Sequence, residues 1–278
     1  MTKDELIVFI KSELVAIKGG AEASAIARRY VEDMLYLSRK TNSELLTVSK
    51  RFDRDLSRLI AGEPVQYVTG LEFFMDRYFQ VDPSVLIPRP ETEEMVRLAI
   101  ADTISAPTTI LDLCTGSGCI ATSLALEYPN ATVYGFDVSE SALLTAKKNA
   151  VELGATVTFR YVDLLNSVLS DFPGELDLIL SNPPYIPMID FEKIDKEVRD
   201  FEPEIALFVV GNDPLLFYRK IAELASKNLT SVGRCYVEIN RSFGQQVFDI
   251  FKDFGFKDVH MLKDISGNER IIRSSGLS

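Results

Sequence analysis

The sequence predicts an α/β fold: a mostly parallel, doubly wound sheet with an antiparallel edge hairpin, preceded by a small helical domain. Three observations carry this. From about residue 108 onward, short apolar runs alternate with helical patterns, as they do in βαβ units and parallel sheets. Near the end, two apolar runs are parted only by residues 264–269. That gap is too short for a crossover, so the pair must be antiparallel. Before residue 60, apolar residues recur at three- and four-residue spacing, the period of a helix face.

Residues 2 to about 60 therefore read as helices, through Leu6-Ile7-Ile10, Leu14-Val15-Ile17, Ala25-Ile26, Tyr30-Val31 and Met34-Leu35. Gly19-Gly20 separates the first two. Charges in this part are mixed, and two roles stand side by side: a stabilising cap, or a module that grips a substrate. Residues 64–90 change character. Tyr67-Val68-Thr69-Gly70, Phe73-Phe74, Tyr78-Phe79-Gln80-Val81 and Val85-Leu86-Ile87-Pro88 read as a β-hairpin connector. Pro90 suits the first turn of a helix, and Glu91 and Glu93 suit its positive end.

A strand is expected at 108–114 with a helix from Ser117. Another is expected at 131–138, with a helix capped by Ser139 and ended by Gly154. Strands at 156–163 and 176–181, a helix over about 214–229 and a strand at 234–240 follow. A helix near 243–254 and strands near 257–263 and 270–274 complete seven strands. The domains divide as 1–72 helical, 73–90 hairpin linker and 91–278 sheet domain.

Composition narrows the function. Hydrophobic residues make up 46% of the 278 residues, enough for a sizeable core. The net charge of −11 opposes broad binding to a phosphate backbone, so no DNA partner is expected. Cys114, Cys119 and Cys235 lack metal-ligand spacing, which points to reduced thiols and a cytoplasmic setting. His260 is the single histidine, so a histidine triad or His-rich metal site is ruled out, and no metal is expected. The charged opening Met-Thr-Lys-Asp-Glu-Leu has no signal-peptide region, and no apolar stretch approaches a membrane span.

Chemistry is concentrated in two motifs. Asn182-Pro183-Pro184-Tyr185 leaves the apolar strand run 176–181. Two prolines fix two φ angles and remove two N–H donors, giving a stiff extended turn with free carbonyls. The Asn182 amide oxygen and the Pro183 carbonyl can both accept from one planar –NH2 group, and the Tyr185 ring offers a flat face beside it. That is a holder for an amide or exocyclic amine. The second motif is Cys114-Thr115-Gly116-Ser117-Gly118 between a strand and a helix start. Its glycines allow close approach of backbone N–H groups and a ligand. Asp137 ends the next strand, where a carboxylate can accept both ribose hydroxyls of an adenosine. Asp163 and Leu164 follow the third strand, placed to accept from an adenine amino group and to cover its ring. A pyrophosphate or a methionine-like tail would each suit the glycine turn, so a nicotinamide-dependent oxidoreductase stays open at this level. It would leave Asn182–Tyr185 unexplained.

Asp112-Leu113-Cys114-Thr115-Gly116-Ser117-Gly118, Asp137 and Asn182-Pro183-Pro184-Tyr185 together resemble a class I S-adenosylmethionine-dependent methyltransferase acting on nitrogen. Leu86-Ile87-Pro88-Arg89-Pro90-Glu91-Thr92-Glu93, Arg199-Asp200-Phe201-Glu202-Pro203 and Gly267-Asn268-Glu269-Arg270 narrow the resemblance. It becomes that to the release factor glutamine methyltransferases, the HemK/PrmC family, and spans nearly the whole chain. The resemblance implies a Rossmann-like sheet and methyl transfer to the glutamine amide in the Gly-Gly-Gln loop of class I peptide chain release factors. It implies that Cys114, Thr115, Gly116, Ser117, Gly118, Asp137, Asp163, Leu164 and Asn182 hold S-adenosyl-L-methionine. Asn182, Pro183 and Tyr185 would be catalytic. Pro184, Arg89 and Glu91 would join them on the substrate side, with a structural ion pair an equal reading for Arg89 and Glu91. A monomer with no membrane partner is expected. Cys114 stands where the family usually has glycine, and Cys119 where a small residue such as alanine is common.

Overall fold

The computed structural model describes residues 2–41, 45–209, 211 and 213–277, with the backbone alone at 40, 41 and 45–50. The chain splits into two compact units. One holds the residues up to Glu72 together with Asp195–Phe201; the other holds Phe73–Ile194 and the residues from Glu202 onward.

The first unit begins with α1 (Lys3–Lys18). The Thr2 hydroxyl accepts the Glu5 N–H at 3.2 Å, and the Glu5 carboxylate accepts the Thr2 N–H at 2.8 Å. This reciprocal pair satisfies two donors that a helix start would otherwise leave bare. The helix stops at Gly19, whose φ of 75° is open to glycine. α2 (Gly20–Thr41) and α3 (Leu45–Ile60) follow. The helical reading of 42–44 lies outside the described residues. Ile10, Leu14, Ala27, Tyr30, Met34 and Leu59 form the core. The buried Asp33 accepts from Arg29 at 2.9 Å and from the Thr69 hydroxyl at 2.8 Å.

Tyr67–Gly70 do not open the hairpin as expected. They belong to a short helix, α4 (Val65–Thr69), closed by left-handed Gly70. The Pro64 carbonyl accepts the N–H groups of Tyr67 and Val68 and so starts the turn. Burial of Val65, Tyr67 and Val68 satisfies their side chains without a strand, overriding β propensity. The hairpin is confined to β1 (Leu71–Phe74) and β2 (Arg77–Gln80). Residues 82–89 are not strand. Met75 and Asp76 both have positive φ, as a two-residue hairpin turn demands.

The second unit continues with α5 (Pro90–Ala101), β3 (Thr109–Leu113), α6 (Cys119–Glu127), β4 (Thr132–Asp137), α7 (Glu140–Leu153), β5 (Thr158–Tyr161) and β6 (Leu176–Ser181). A 3-10 turn at Met188–Lys193, then α8 (Lys196–Phe201), which belongs to the first unit, and α9 (Glu204–Leu207) follow. None of these was expected. α10 (Leu216–Asn228), β7 (Leu229–Glu238), α11 (Gly244–Asp253), β8 (Asp258–Lys263) and β9 (Glu269–Ser275) complete the chain. The sheet runs β5-β4-β3-β6-β7-β9-β8. The first five strands are parallel neighbours, and β9 is antiparallel to both β7 and β8.

Successive strand residues face opposite cores. Leu111, Ile179 and Val237 join one, Ile110, Leu178 and Tyr236 the other. From β3 the order runs outward through β4 on one side and β6 on the other. That reversal opens a crevice at the carboxyl ends of β3 and β6, the ligand-binding place of open α/β sheets.

Candidate active site

The glycine turn between β3 and α6 is held from below by a buried acid. The Asp112 carboxylate accepts the Thr115 hydroxyl at 2.5 Å and the Ala121 N–H at 3.1 Å. Burial pushes its carboxyl up to about 7, against those two hydrogen bonds. The two glycines serve different ends. A Cβ on Gly118 would lie 2.9 Å from the Ala146 Cβ, so Gly118 lets α6 pack on α7. A Cβ on Gly116 would meet no atom within 4 Å, so its bare face is left for a ligand. Cys114 has φ 60°, a left-handed conformation that glycine adopts without strain.

Asp137 closes the other wall. Its Oδ2 accepts the Gly116 N–H at 2.8 Å and its Oδ1 accepts the Ser139 N–H at 2.9 Å. Burial raises this carboxyl above its usual range, while the backbone donors pull it back. Each oxygen keeps acceptor capacity for a hydroxyl, so the carboxylate fits a vicinal diol. Cys114, Thr115, Gly116, Ser117 and Asp137 line a cavity of about 400 Å³, within the range of small-ligand sites. Leu164, itself buried, lines it too. Asp163 also lines it, but is engaged locally. Its oxygens accept the Leu165 N–H at 3.0 Å and the Asn166 side-chain amide at 2.8 Å, closing the turn after β5.

Across the crevice Asn182 and Pro184 complete the lining. Arg89 lines it as well and is paired with the buried Glu202 at 2.5 Å, where Glu202 also accepts the Ile87 N–H. The ion-pair reading of Arg89 is thus what the geometry displays. Gly118, Pro183, Tyr185 and Glu91 are not lining residues.

A buried chain of hydrogen bonds lies behind the Asn-Pro-Pro-Tyr turn, and sequence reasoning missed two of its members. The Asn182 Nδ2 donates to the Thr92 hydroxyl at 3.0 Å. That hydroxyl donates to the Glu238 Oε2 at 2.6 Å. The Tyr185 hydroxyl donates to the Glu238 Oε1 at 3.3 Å. Glu238 is only 1% exposed, and burial drives its carboxyl up to about 7 against Thr92 and Arg270. The readable signals were weak. Glu238 is an acid within the apolar run Val237-Glu238-Ile239, and Thr92 sits inside the Pro-Arg-Pro-Glu-Thr-Glu segment.

The arrangement places the Asn182 carboxamide, a carboxylate fit for a diol and a bare glycine backbone around one cavity. Residues 98–201 match the methyltransferase small domain family. The release factor glutamine methyltransferase of Flavobacterium psychrophilum is 44% identical over 222 residues, 78% of this chain and 77% of that one. Its counterpart of Bacteroides thetaiotaomicron is 43% identical over 227 residues, 81% of each chain. A methyltransferase structure from Pyrococcus furiosus superposes with a TM-score of 0.53 at 18% identity, covering 82% of this chain and all of that one, which shows a shared fold. By identity and coverage to its curated relatives, this chain belongs to the release factor glutamine methyltransferase family.

Proposed function

We propose that this protein transfers a methyl group from S-adenosyl-L-methionine to the side-chain amide nitrogen of the glutamine in the Gly-Gly-Gln loop of class I peptide chain release factors. The observation that carries the reading is the polarity of Asn182. Its Nδ2 is committed to Thr92, so the carboxamide presents Oδ1 as an acceptor on a residue that lines the cavity. A glutamine –NH2 group needs acceptors, and the Pro183 carbonyl offers the second. Asp137 at the opposite wall suits the ribose, Gly116 the amino-acid tail, and Leu164 the adenine ring.

When bound, the cofactor supplies a methyl group on a positively charged sulfur. The amide nitrogen is a poor nucleophile because its lone pair is delocalised. Asn182 and Pro183 hold its two hydrogens, aim the nitrogen at the methyl and favour the positive charge that builds on it. Transfer would replace one of the nitrogen's hydrogens by that methyl group, the proton going to solvent. The work of the chain is orientation and electrostatics, with no strong base required.

A net charge of −11 favours a protein substrate over a nucleic acid. Every residue lining the cavity belongs to the second unit. That leaves the helical first unit to recognise the body of the release factor. Cys114, Cys119 and Cys235 are free thiols, in keeping with the cytoplasm.

The deciding experiment follows labelled methyl from S-adenosyl-L-methionine into an intact release factor, with the Gln→Ala variant of its Gly-Gly-Gln loop and a duplex DNA as controls. Label confined to the intact factor is expected. Label in the Gln→Ala factor or in DNA overturns the substrate. Within that assay, Asn182→Ala should lower the rate on the order of 10²–10³ by removing one of two fixed acceptors.

A further inference from the structure

The buried chain Glu238–Thr92–Asn182 does more than fill space. A threonine hydroxyl carries one hydrogen. Here that hydrogen is given to the Glu238 carboxylate at 2.6 Å, leaving the Thr92 oxygen able only to accept on its other side. The Asn182 group facing Thr92 must then be its –NH2, as the 3.0 Å contact has it. The opposite end of the carboxamide, the end left for substrate, is therefore the oxygen. Reverse the Thr92 hydrogen and the Asn182 amide would be free to rotate by half a turn, presenting –NH2 to a substrate –NH2. Two donors cannot pair, so the turned form does not bind an amide for transfer.

The same carboxylate accepts the Tyr185 hydroxyl on its second oxygen, and its own backbone carbonyl accepts the Tyr218 hydroxyl at 3.2 Å. One buried acid on β7 thus ties down both side chains of the Asn-Pro-Pro-Tyr turn. We infer that Glu238 is a positioning residue for methyl transfer: through the Thr92 hydroxyl it dictates which end of the Asn182 carboxamide faces the substrate amide, and it holds the Tyr185 hydroxyl of the same turn. This inference rests on the proposed role of Asn182 as an acceptor for the glutamine amide.

Several charged and titratable groups act on Glu238. Burial opposes its ionised form most and Glu91 adds to that, while the Thr92 hydroxyl, the Arg270 guanidinium and the Tyr185 hydroxyl favour it; the Tyr218 hydroxyl meets only the backbone carbonyl. Among these, Glu238 itself is the group whose carboxyl lies near neutrality, at about 7. Below that point its oxygen carries a hydrogen and can donate to Thr92, which releases the reversed relay. Transfer should fall as pH drops through neutrality.

The test uses the full-length protein, saturating S-adenosyl-L-methionine and an intact release factor. Thr92→Val removes the hydroxyl at nearly constant shape. It should lower kcat roughly 10- to 100-fold, the scale of a small misplacement of reacting groups, with cofactor Kd changed less than about twofold. Thr92→Ser restores the hydroxyl and should recover at least tenfold of that loss. Glu238→Gln should lower kcat similarly and abolish the acid limb seen in the wild-type pH profile. In an Asn182→Ala background, Thr92→Val should add nothing, because the residue it steers is gone.

Wild-type kcat in Thr92→Val, a persistent acid limb in Glu238→Gln, or a full multiplicative loss in the double variant each overturns the relay. A wild-type rate for Asn182→Ala overturns instead the role of Asn182 on which the relay rests. If Glu238→Gln unfolds, the Thr92 pair and the double variant decide the matter alone.

Discussion

At the scale of single residues, the cavity is a set of acceptors held in place by backbone donors. Asp137 is the plainest case, because its two oxygens are already aimed by the Gly116 and Ser139 N–H groups. Asp137→Ala should weaken S-adenosyl-L-methionine binding by roughly 1.5–3 kcal/mol, the cost of charge-assisted hydrogen bonds to the ribose. Calorimetry on the folded variant checks this, and an unchanged Kd would assign the ribose to another group. The cysteines of the turn behave differently from what their place near a ligand implies. Burial pushes the Cys119 thiol up to about 12 and the Cys114 thiol upward as well. Little thiolate exists at neutral pH, and the thiolate is the reactive form. Both should label slowly with a thiol reagent, Cys119 most of all, and bound cofactor should slow Cys114 further. Fast labelling of Cys119, mapped by peptide mass spectrometry, would contradict its burial. The place of Asn182 on the cavity wall was legible because it ends an apolar strand run at a two-proline turn. Glu238 and Thr92 were not. They stand 146 positions apart and meet only when β7 and α5 are brought together by the fold, so no local pattern records the contact.

At the scale of elements, the strand–turn–helix units were the legible part. Periodicity marks β3, β4 and β6, and the glycines mark the turn, because a left-handed backbone has few residue choices. The glycine pair gives a prediction that separates packing from binding. Gly118→Ala brings a Cβ to 2.9 Å of the Ala146 Cβ at a φ of 74°, so both clash and left-handed backbone strain oppose it. It should destabilise the protein by roughly 2–5 kcal/mol, the sum of overpacking and left-handed strain. Gly116→Ala meets open space and carries only the strain, about 1–2 kcal/mol. It should nonetheless weaken the cofactor more, since the methyl group enters the ligand's room. Denaturant titration beside cofactor titration reads both, and equal stability losses would refute the division of labour. The stretch between β6 and α10 was not legible. Its turns and short helices at Met188–Leu207 are too brief to show a helical period. α4 was misread for a related reason: its β-branched and aromatic residues describe burial, which a five-residue helix provides as well as a strand.

At the scale of the whole molecule, buried acids set an opposition between stability and activity. Burial raises the carboxyls of Asp112 and Glu238 to about 7 and that of Asp33 to about 6. Each is raised above its unfolded value, so the native state holds protons that the unfolded chain releases. The stability they contribute is therefore complete below about pH 4 and is lost as pH rises through 6 to 7. Asp82, Asp177 and Asp264 are held below their usual range and act the other way, losing their contribution as pH falls below about 4. Thermal stability should thus be greater near pH 5.5 than near pH 8. A carboxyl moved from 4.5 to about 7 alters stability on the order of 3 kcal/mol across its window. Between pH 8 and pH 5.5 Asp112 and Glu238 contribute about 2 kcal/mol each, and at roughly 2–4 °C per kcal/mol the combined rise in Tm should be on the order of 10 °C. Repulsion within a chain of net charge −11 would also ease on acidification. The two causes separate by salt, because surface repulsion is screened at ~0.5 M while buried groups are not. Calorimetric scans at both pH values and both salt levels, repeated on Asp112→Asn, check the assignment. The rise should survive high salt and shrink in Asp112→Asn. A rise that vanishes with salt, or one that Asp112→Asn leaves whole, would move the cause from the buried acids to the surface. Were it upheld, the protein would be most stable where protonated Glu238 leaves it least active, because the ionised acid that aligns Asn182 is the one whose burial costs the fold.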